Sequence, residues 1–515
     1  MNFKKILTGF ASIAILVGFA SCSSDDNNGV NNGNVVLKGL NSEETTGVQV
    51  KSEATSASFS VYSPVTPTII TSQDWVSGQA TEPSKMNSIS LISLSIEPNP
   101  TTEERTADIN ISASGSSITV QLTQAAGKGE EEKPNVPTDE LQPLLGIKAS
   151  DIEKDFIAGW NIGNTLEVPG GETGWGNPPV NMTYVEGIKA AGFNAVRIPC
   201  AWDSHIIDKS NHTVDPAWLD RVNEVVGYVL SQDMYALLNI HWDGGWLENN
   251  IGTASTDALI NKQKALWTQI ATRLGHYNEK LLFAGLNEPN AGNEWGNKSD
   301  NVKAMKALLD YEQAFVDAVR ATGGNNSTRT LVVQAPNTSI NMACDYMDEL
   351  PVDPAGEGYM MVEVHYYDPS DYTIMENDGA WSTYVKFFWG KEFHQGGNRD
   401  CNWGEEDSML SQLQKMQTKF VNKGIPVVLG EYGAYPEDHF SKNNVNFSDE
   451  EKDIIKASRA YWYQCFSKFS KQTGILPFVW DTGELINRNN GKVKEGKQYI
   501  IDAIMDGASS VSYPY

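Results

Sequence analysis

Two patterns of apolar and polar positions divide the chain. Over residues 35–126, short segments alternate apolar with hydroxyl-bearing side chains, as in Ser58-Phe59-Ser60-Val61-Tyr62 and Ser117-Ile118-Thr119-Val120-Gln121-Leu122. A two-residue period puts one strand face in a core and the other in water. Turn formers such as Pro98-Asn99-Pro100 separate these segments, which predicts a small all-β, immunoglobulin-like sandwich. From 144 to 515 the pattern changes. Apolar runs fall near 157–163, 194–198, 235–240, 281–287, 330–335, 359–366, 425–430 and 475–480. Amphipathic stretches such as Trp218 to Leu230 and Val302 to Ala321 lie between them. Strands apolar on both faces, alternating with helices, predict an α/β fold, a (β/α)8 TIM barrel.

Between the two regions, residues 127–143 carry Gly127, Gly129, the acids Glu130 to Glu132 and three prolines, Pro134, Pro137 and Pro143. That composition describes a solvated, stiffened linker. At the start of the chain, Lys4 and Lys5 precede the apolar run Ile6 to Phe19, followed by Ala20-Ser21-Cys22. Residues 1–21 therefore read as a signal peptide, too short for a stable transmembrane helix. The cysteine at the cleavage point resembles a bacterial lipoprotein signal, in which Cys22 becomes the lipidated first residue, although Phe19 stands where Leu is usual. The run Ser23-Ser24-Asp25-Asp26-Asn27-Asn28 resembles the acidic signal that sends Bacteroidetes lipoproteins to the cell surface. Residues 22–34 then form a flexible tether. This resemblance implies an outer-membrane lipoprotein, exposed at the cell surface and touching the membrane through its lipid anchor only.

Charge narrows the partners. The formal net charge of −26 disfavours nucleic acid and anionic membranes but does not hinder a neutral glycan. Fourteen Trp and nineteen Tyr suit sugar-stacking surfaces and a large core equally. Cys200, Cys344, Cys401 and Cys465 are widely spaced, without a metal or redox pattern, and read as buried thiols or an incidental disulfide. The chain contains no Gly-x-Ser-x-Gly elbow, no His-Glu-x-x-His site and no phosphate loop, so neither a metal nor a cofactor is expected. A monomer is expected.

Candidate chemistry lies where the barrel strands end. Active sites of such barrels occupy the C-terminal strand ends. The successive ends carry Asn161 and Asn164, Arg197, His241 and Trp242, Asn287 and Glu288, Asn337, His365 and Tyr367, Glu431, and Trp480 with Asp481. One polar strand end is an ordinary loop boundary, but repetition around the barrel describes a ring of site residues. Glu288 and Glu431 each close a nearly continuous apolar strand, where a purely structural carboxylate is hard to justify. Two such carboxylates meet the requirement of glycoside hydrolysis, one to protonate the leaving oxygen and one to attack the anomeric carbon.

The motifs along residues 144–515 resemble glycoside hydrolase family 5, most closely its subfamily 4 of endo-β-1,4-glucanases and xyloglucanases. They are Gly159-Trp160-Asn161-Ile162-Gly163-Asn164-Thr165-Leu166-Glu167, Glu172-Thr173-Gly174-Trp175-Gly176-Asn177-Pro178, Val196-Arg197-Ile198-Pro199, Asn239-Ile240-His241-Trp242-Asp243-Gly244-Gly245-Trp246-Leu247-Glu248 and Asn287-Glu288-Pro289. Trp242 departs from the many members with a second histidine there. The resemblance implies Glu288 as acid/base and Glu431 as nucleophile. It implies that Asn287 contacts the 2-hydroxyl of the attacked sugar, and that Arg197 pairs with Glu431 and keeps its pKa low. It further implies site-lining donors at His241, His365 and Tyr367, a sugar platform at Trp480, and further contacts from Asn164, Trp175, Trp242 and Trp246. The implied activity is that of a retaining endo-β-1,4-glucanase acting on plant polysaccharide, with xyloglucan the leading substrate. Alternatives are a mixed-linkage β-glucanase, mannanase or xylanase, and, in a different class, a non-catalytic glycan-binding lipoprotein. Retention of both carboxylates favours an enzyme.

The segments Ser72-Gln73-Asp74-Trp75-Val76-Ser77, Arg105-Thr106-Ala107-Asp108-Ile109 and Gln121-Leu122-Thr123-Gln124-Ala125-Ala126 resemble the BACON domain, whose name suggests carbohydrate binding. Its only aromatics here are Phe59, Tyr62 and Trp75, which a small sandwich needs in its core, so a spacer role is expected. Finally, the long aromatic-rich segment from Asp368 to Asn402, with Trp381, Tyr384, Phe388 and Trp389 near helical spacing, is expected to supply part of the cleft wall.

Overall fold

The computed structural model describes residues 38–39, 47–127 and 139–514, apart from Glu53, 85–87, Pro100, 436–440 and Asn444. Cys22, the signal peptide and the tether lie outside the described residues. The chain divides into two compact units between Lys133 and Pro134.

The alternation in the first unit builds two four-stranded sheets. Lys38–Gly39, Ser56–Tyr62, Ile89–Ile96 and Val76–Ala80 form one; Gly47–Val50, Ser116–Gln124, Arg105–Ala113 and Thr68–Thr71 form the other. Along Ile89–Ile96, Ser90, Ile92, Leu94 and Ile96 are buried and the residues between them are exposed. Ile92, Leu94 and Ile96 join Val61, Ile109, Ile111 and Leu122 in one core, which is why a period of two suffices to specify the pairing. The aromatics depart from expectation. Phe59 and Trp75 are only half-buried against that core, and the Arg105 guanidinium sits 4.1 Å above the Trp75 ring. Tyr62 is 47% exposed, because it takes the outward phase beside inward Val61.

In the second unit, eight parallel strands close into a barrel. In chain order they are Gly159–Ile162, Ala195–Ile198, Tyr235–Asn239, Leu281–Ala284, Leu331–Gln334, Met360–Tyr366, Val427–Tyr432 and Ile475–Asp481. Each falls where the sequence predicts one. Both faces are buried, one under the helices and one in the lumen, so the strands read as apolar runs. Within those runs the lumen takes alternate residues. Its lower layer is apolar: Ala195, Leu237, Leu282, Val332, Met361, Val428, Leu476 and Phe478 pack together, closed from below by Ile152 of helix Ala149–Asp155 and by Phe156. Two residues further along the same faces stand Arg197, Asn239, Gln334, Glu363 and Trp480. The floor is therefore a packed core, and the polar layer begins one step above it.

Strand seven breaks this period. Val364 pairs with Leu429, but the next residue, His365, pairs with Glu431, so Gly430 is an extra residue in a bulge. Without it Glu431 would point outward among the helices; with it, both Gly430 and Glu431 face the lumen. The side chain of Asn161 in strand one clasps the bulge, donating through Nδ2 to the Gly430 carbonyl at 2.8 Å.

The chain just before the barrel is tied to it. Arg273 binds Asp139 at 2.7 Å, the Gln142 N–H donates to the His276 carbonyl at 2.7 Å, and Glu279 accepts the N–H groups of Leu145 and Gly146 at 2.7 Å each. Cys200, Cys344, Cys401 and Cys465 are free thiols, Cys344 half-buried and the others buried. Among the described residues no helix is long and apolar enough to cross a membrane.

The lumen tolerates no added volume beside Phe478. A Cβ on Gly159 would lie 2.3 Å from that ring. Gly159→Ala is expected to destabilise the barrel by about 1–3 kcal/mol, the cost of overpacking a filled core. Chemical denaturation of the variant, showing a lower midpoint at an unchanged slope, is the check.

Candidate active site

The polar layer of the lumen assembles around one cation. Arg197 of strand two is completely buried. Its Nη1 meets Glu431 Oε1 at 3.0 Å and Asn161 Oδ1 at 3.0 Å. Its Nη2 donates to Asn287 Oδ1 at 2.7 Å, and its Nε pairs with Glu363 Oε1 at 2.9 Å. Strands one, two, four, six and seven thus converge on a single guanidinium. On the far side, Tyr367 donates its hydroxyl to Glu431 Oε2 at 3.0 Å. Glu288, beyond the end of strand four, meets His365 Nδ1 at 2.7 Å. One oxygen of Glu288 and one of Glu431 lie within 4.8 Å of each other, with His365 beside both. Glu431 is buried, whereas the Glu288 side chain remains 47% exposed to the cleft.

The charges around His365 decide its state. Desolvation opposes its protonation, but Glu431, Glu288 and Glu363 outweigh it and lift its pKa to about 10. At neutral pH it is an imidazolium, donating from Nδ1 to Glu288 and from Nε2 to Glu363 at 3.2 Å. His241 behaves oppositely. Desolvation, with the charges of Arg197 and His365, holds it well below its ordinary value, so it is neutral. Arg197 pairs with Glu431 and pulls its pKa down, as expected, and His365 does so too, but burial acts the other way and the net shift is upward. At Glu288 desolvation is outweighed by the hydrogen bond and charge of His365, and the carboxyl falls below its ordinary range. Two carboxylates this close titrate as a pair, and like-charge repulsion favours one shared proton.

Beneath these groups lies a layer that strand-end reading missed. Glu363 is completely buried inside strand six, and its Oε2 accepts from Gln334 Nε2 at 2.6 Å. Gln334 in turn accepts the Leu286 N–H at 2.7 Å, fixing the turn before Asn287. Glu248 accepts the N–H of Asn287 at 3.1 Å and also that of Glu288. Burial pushes the Glu248 carboxyl up to about 8. One signal was available: Met361, Glu363 and His365 recur at period two within an otherwise apolar strand, which puts all three on one face.

The other expected contacts are placed as follows. Trp480 stacks nearly parallel to His241, ring centres 5.7 Å apart, and its carbonyl accepts the Tyr435 hydroxyl at 2.6 Å. Trp242 and Trp175 are exposed, at 45% and 56%. Trp246 is half-buried; it donates to Asp243 at 2.8 Å, and Lys262 Nζ sits 4.2 Å over its ring. Asn164 adopts a left-handed backbone, φ 58°, held by main-chain bonds to Glu167 and Asn177. The segment 368–402 is largely irregular rather than helical over 381–389. Tyr372, Phe387, Phe388 and Trp389 pack inward, while Trp381 and Tyr384 are exposed. A cavity of about 230 Å³ adjoins Glu288; Asn337, Asn341, Glu294 and Gln412 help to line it. Of the long segment only Asp368 contributes there, so the expected aromatic wall does not form at this cavity.

A buried carboxylate and a cleft-facing one, paired across the C-terminal mouth of a (β/α)8 barrel, define a glycoside hydrolase centre. The chain belongs to glycosyl hydrolase family 5. Residues 161–485 match that family's cellulase model, and residues 65–125 match the BACON model, described as a putative N-terminal binding domain. The xyloglucan-specific endo-beta-1,4-glucanase BoGH5A of Bacteroides ovatus is 31% identical over 98% of this chain and 97% of its own. The structure of XEG5B, a xyloglucan-specific beta-1,4-glucanase from a ruminal metagenomic library, superposes with a TM-score of 0.63 at 36% identity, covering 72% of this chain and 98% of that one. A broad specificity endoglucanase from Bacteroides salanitronis gives 0.62 at 33% identity, covering 72% and 98%.

Tyr367 offers a test of this electrostatic arrangement. Its hydrogen bond lowers the Glu431 pKa, so Tyr367→Phe should raise it. With Glu431 in the expected role of nucleophile, ionised in order to react, the acidic limb of the pH profile of kcat/KM is expected to move to higher pH. A bond to a charged acceptor corresponds to about a 10- to 100-fold rate loss. A rate profile across pH 4–9 (roughly the span of carboxylate and histidine titration) measures both effects.

Proposed function

We propose that this protein is a retaining endo-β-1,4-glucanase of the cell surface whose substrate is xyloglucan, with Glu431 as nucleophile and Glu288 as acid/base. The observation that carries the mechanism is the separation of the two carboxylates. Oxygens within 4.8 Å suit direct attack, for which about 5–5.5 Å between carboxyl groups is usual, and leave no room for the water that inversion needs at about 6.5–9.5 Å.

A β-glucan chain bound over Trp480 covers Glu288 and excludes water from it. Desolvation then raises the proton affinity of Glu288, while Glu431 keeps its donors Arg197 and Tyr367 and becomes the anion. Glu431 attacks the anomeric carbon as the glycosidic bond breaks, and Glu288 transfers its proton to the departing oxygen. Water enters on the vacated side. Glu288 takes its proton, the hydroxide equivalent displaces Glu431, and the original anomeric configuration returns. In this reading Asn287, which accepts from Arg197 at 2.7 Å, contacts the 2-hydroxyl. The cavity beyond Glu288 receives the leaving chain, and its amide and carboxylate lining suits hydroxyl groups better than an apolar aglycone.

Xyloglucan is favoured over bare cellulose because the relative matching nearly the whole chain is xyloglucan-specific; the broad specificity relative keeps a wider β-glucan range as the second reading. The Lys4 to Cys22 leader supports export, lipidation at Cys22 and an outer-membrane location facing outward. The sandwich serves as a spacer, in keeping with its having only three aromatics, two of them half-buried against its core.

Three measurements test this. On a panel of xyloglucan, mixed-linkage glucan, glucomannan, cellulose and xylan, kcat/KM should be highest for xyloglucan by about tenfold, or ~1.4 kcal/mol; equal rates on unbranched glucan refute xyloglucan preference. Glu288→Gln should lower kcat on polysaccharide about 10²- to 10⁴-fold, and Glu431→Gln at least as much, with NMR of wild-type products showing retained configuration. Deleting 23–133, which spares the Asp139 and Gln142 ties to the barrel, should leave kcat on soluble xyloglucan unchanged. A large rise in KM on that deletion would show that the sandwich binds glycan.

A further inference from the structure

We infer that Glu363 is a positioning residue for the reaction, the buried anion that holds Arg197 and His365 in place and thereby sets both the nucleophile and the acid/base. The inference rests on the assignment of Glu431 and Glu288 above and adds the group that acts through them.

Glu363 cannot touch substrate. It is completely buried in strand six, below His365 and one step above the apolar floor. Its Oε1 receives two cations, Arg197 Nε at 2.9 Å and His365 Nε2 at 3.2 Å. Its Oε2 is occupied by Gln334 Nε2 at 2.6 Å. Between them the two cations reach both catalytic carboxylates: Arg197 binds Glu431 at 3.0 Å, and His365 binds Glu288 at 2.7 Å and lies 3.8 Å from Glu431. One carboxylate group therefore locks both in register. The chain makes room for it at a particular point. A Cβ on Gly430 would lie 1.9 Å from Glu363 Oε1 and 2.9 Å from His365 Nε2. Gly430 is the bulge residue that turns Glu431 inward. The same missing side chain thus serves the nucleophile's orientation and the seat of the anion behind it.

Charge gives Glu363 a second effect. His365 faces Glu363 on its own strand, Glu288 from strand four, Glu431 from strand seven and, with opposite sign, Arg197 from strand two; neutral His241 lies nearby on strand three, and Glu248, whose carboxyl burial pushes up to about 8, interacts with His365 from beneath Glu288. Of the three anions, Glu288 gains and loses a proton and Glu431 forms and releases an ester bond during turnover, so their charge varies. Glu363, held ionised by Arg197 and His365 against its desolvation, is the constant one. It keeps His365 an imidazolium throughout the cycle. An imidazolium on Glu288 stabilises the carboxylate left after proton donation and makes Glu288 the stronger acid.

The test uses full-length Glu363→Gln, nearly isosteric but uncharged, alongside Glu363→Asp, which keeps the charge on a shorter stem. Histidine-15N spectra report the protonation of His365 directly, and xyloglucan kinetics separate kcat from KM. The expected results for Glu363→Gln are a His365 titration moved at least about two units downward, where its usual value is about 6.5, a kcat about 10²-fold lower, and a KM within about twofold of wild type, since no substrate contact is lost. Glu363→Asp should keep the imidazolium and recover part of kcat. A folded Glu363→Gln with His365 titrating as in wild type, or with kcat within about threefold of it, overturns the inference. If Glu363→Gln does not fold, Glu363→Asp decides: a retained imidazolium with reduced kcat and unchanged KM supports the role, and wild-type kinetics refute it. Wild-type protein inactive on every glucan would sink the functional reading instead, and the histidine spectra would still report on Glu363.

Discussion

The buried guanidinium of Arg197 is the interaction on which the rest of this site depends. A cation sealed inside a barrel is costly unless its charge and all its donors are met. Here Glu363 and Glu431 meet the charge, and Asn161 and Asn287 accept hydrogen bonds from Nη1 and Nη2. Those partners come from four other strands. Satisfying one side chain therefore fixes the relative heights of five strand ends. Catalytic geometry and barrel stability become the same requirement in this layer, with the packed apolar floor beneath supplying the rigidity.

The bulge at Gly430 shows how narrow that requirement is. Parallel strands alternate strictly, and an unbroken strand seven would send Glu431 into the helical shell. One extra residue reverses the phase, and only glycine leaves space for Glu363 behind it. Asn161 then pins the displaced carbonyl. Three features that look separate along the chain, an asparagine in strand one, a glutamate in strand six and a glycine in strand seven, are one device in space.

Electrostatics adds a temporal aspect. Burial raises the proton affinity of Glu431, while the imidazolium of His365 draws Glu288 toward its anion. Glu288 is the exposed member, so substrate binding changes its surroundings most. Covering it would remove water from its carboxyl and raise its proton affinity, as the proposed acid role of Glu288 requires.

The sequence by itself determined the eight strands, the sandwich before them and the ring of polar strand ends, including both glutamates. These follow from local periodicity, because a strand buried on both faces must be apolar until it leaves the core, and polar residues at its end stand out. Tertiary structure alone decided the rest. Glu363 sits within an apolar run rather than at its end, so its partners from other strands are what identify it. The raised pKa of Glu431 could not be inferred from the nearness of Arg197, since burial is a sum over the whole surroundings. Tyr62 turned outward because strand phase, not aromatic character, sets the face. The aromatics of 368–402 packed largely inward because a long loop needs its own small core, which composition does not distinguish from a sugar-binding wall.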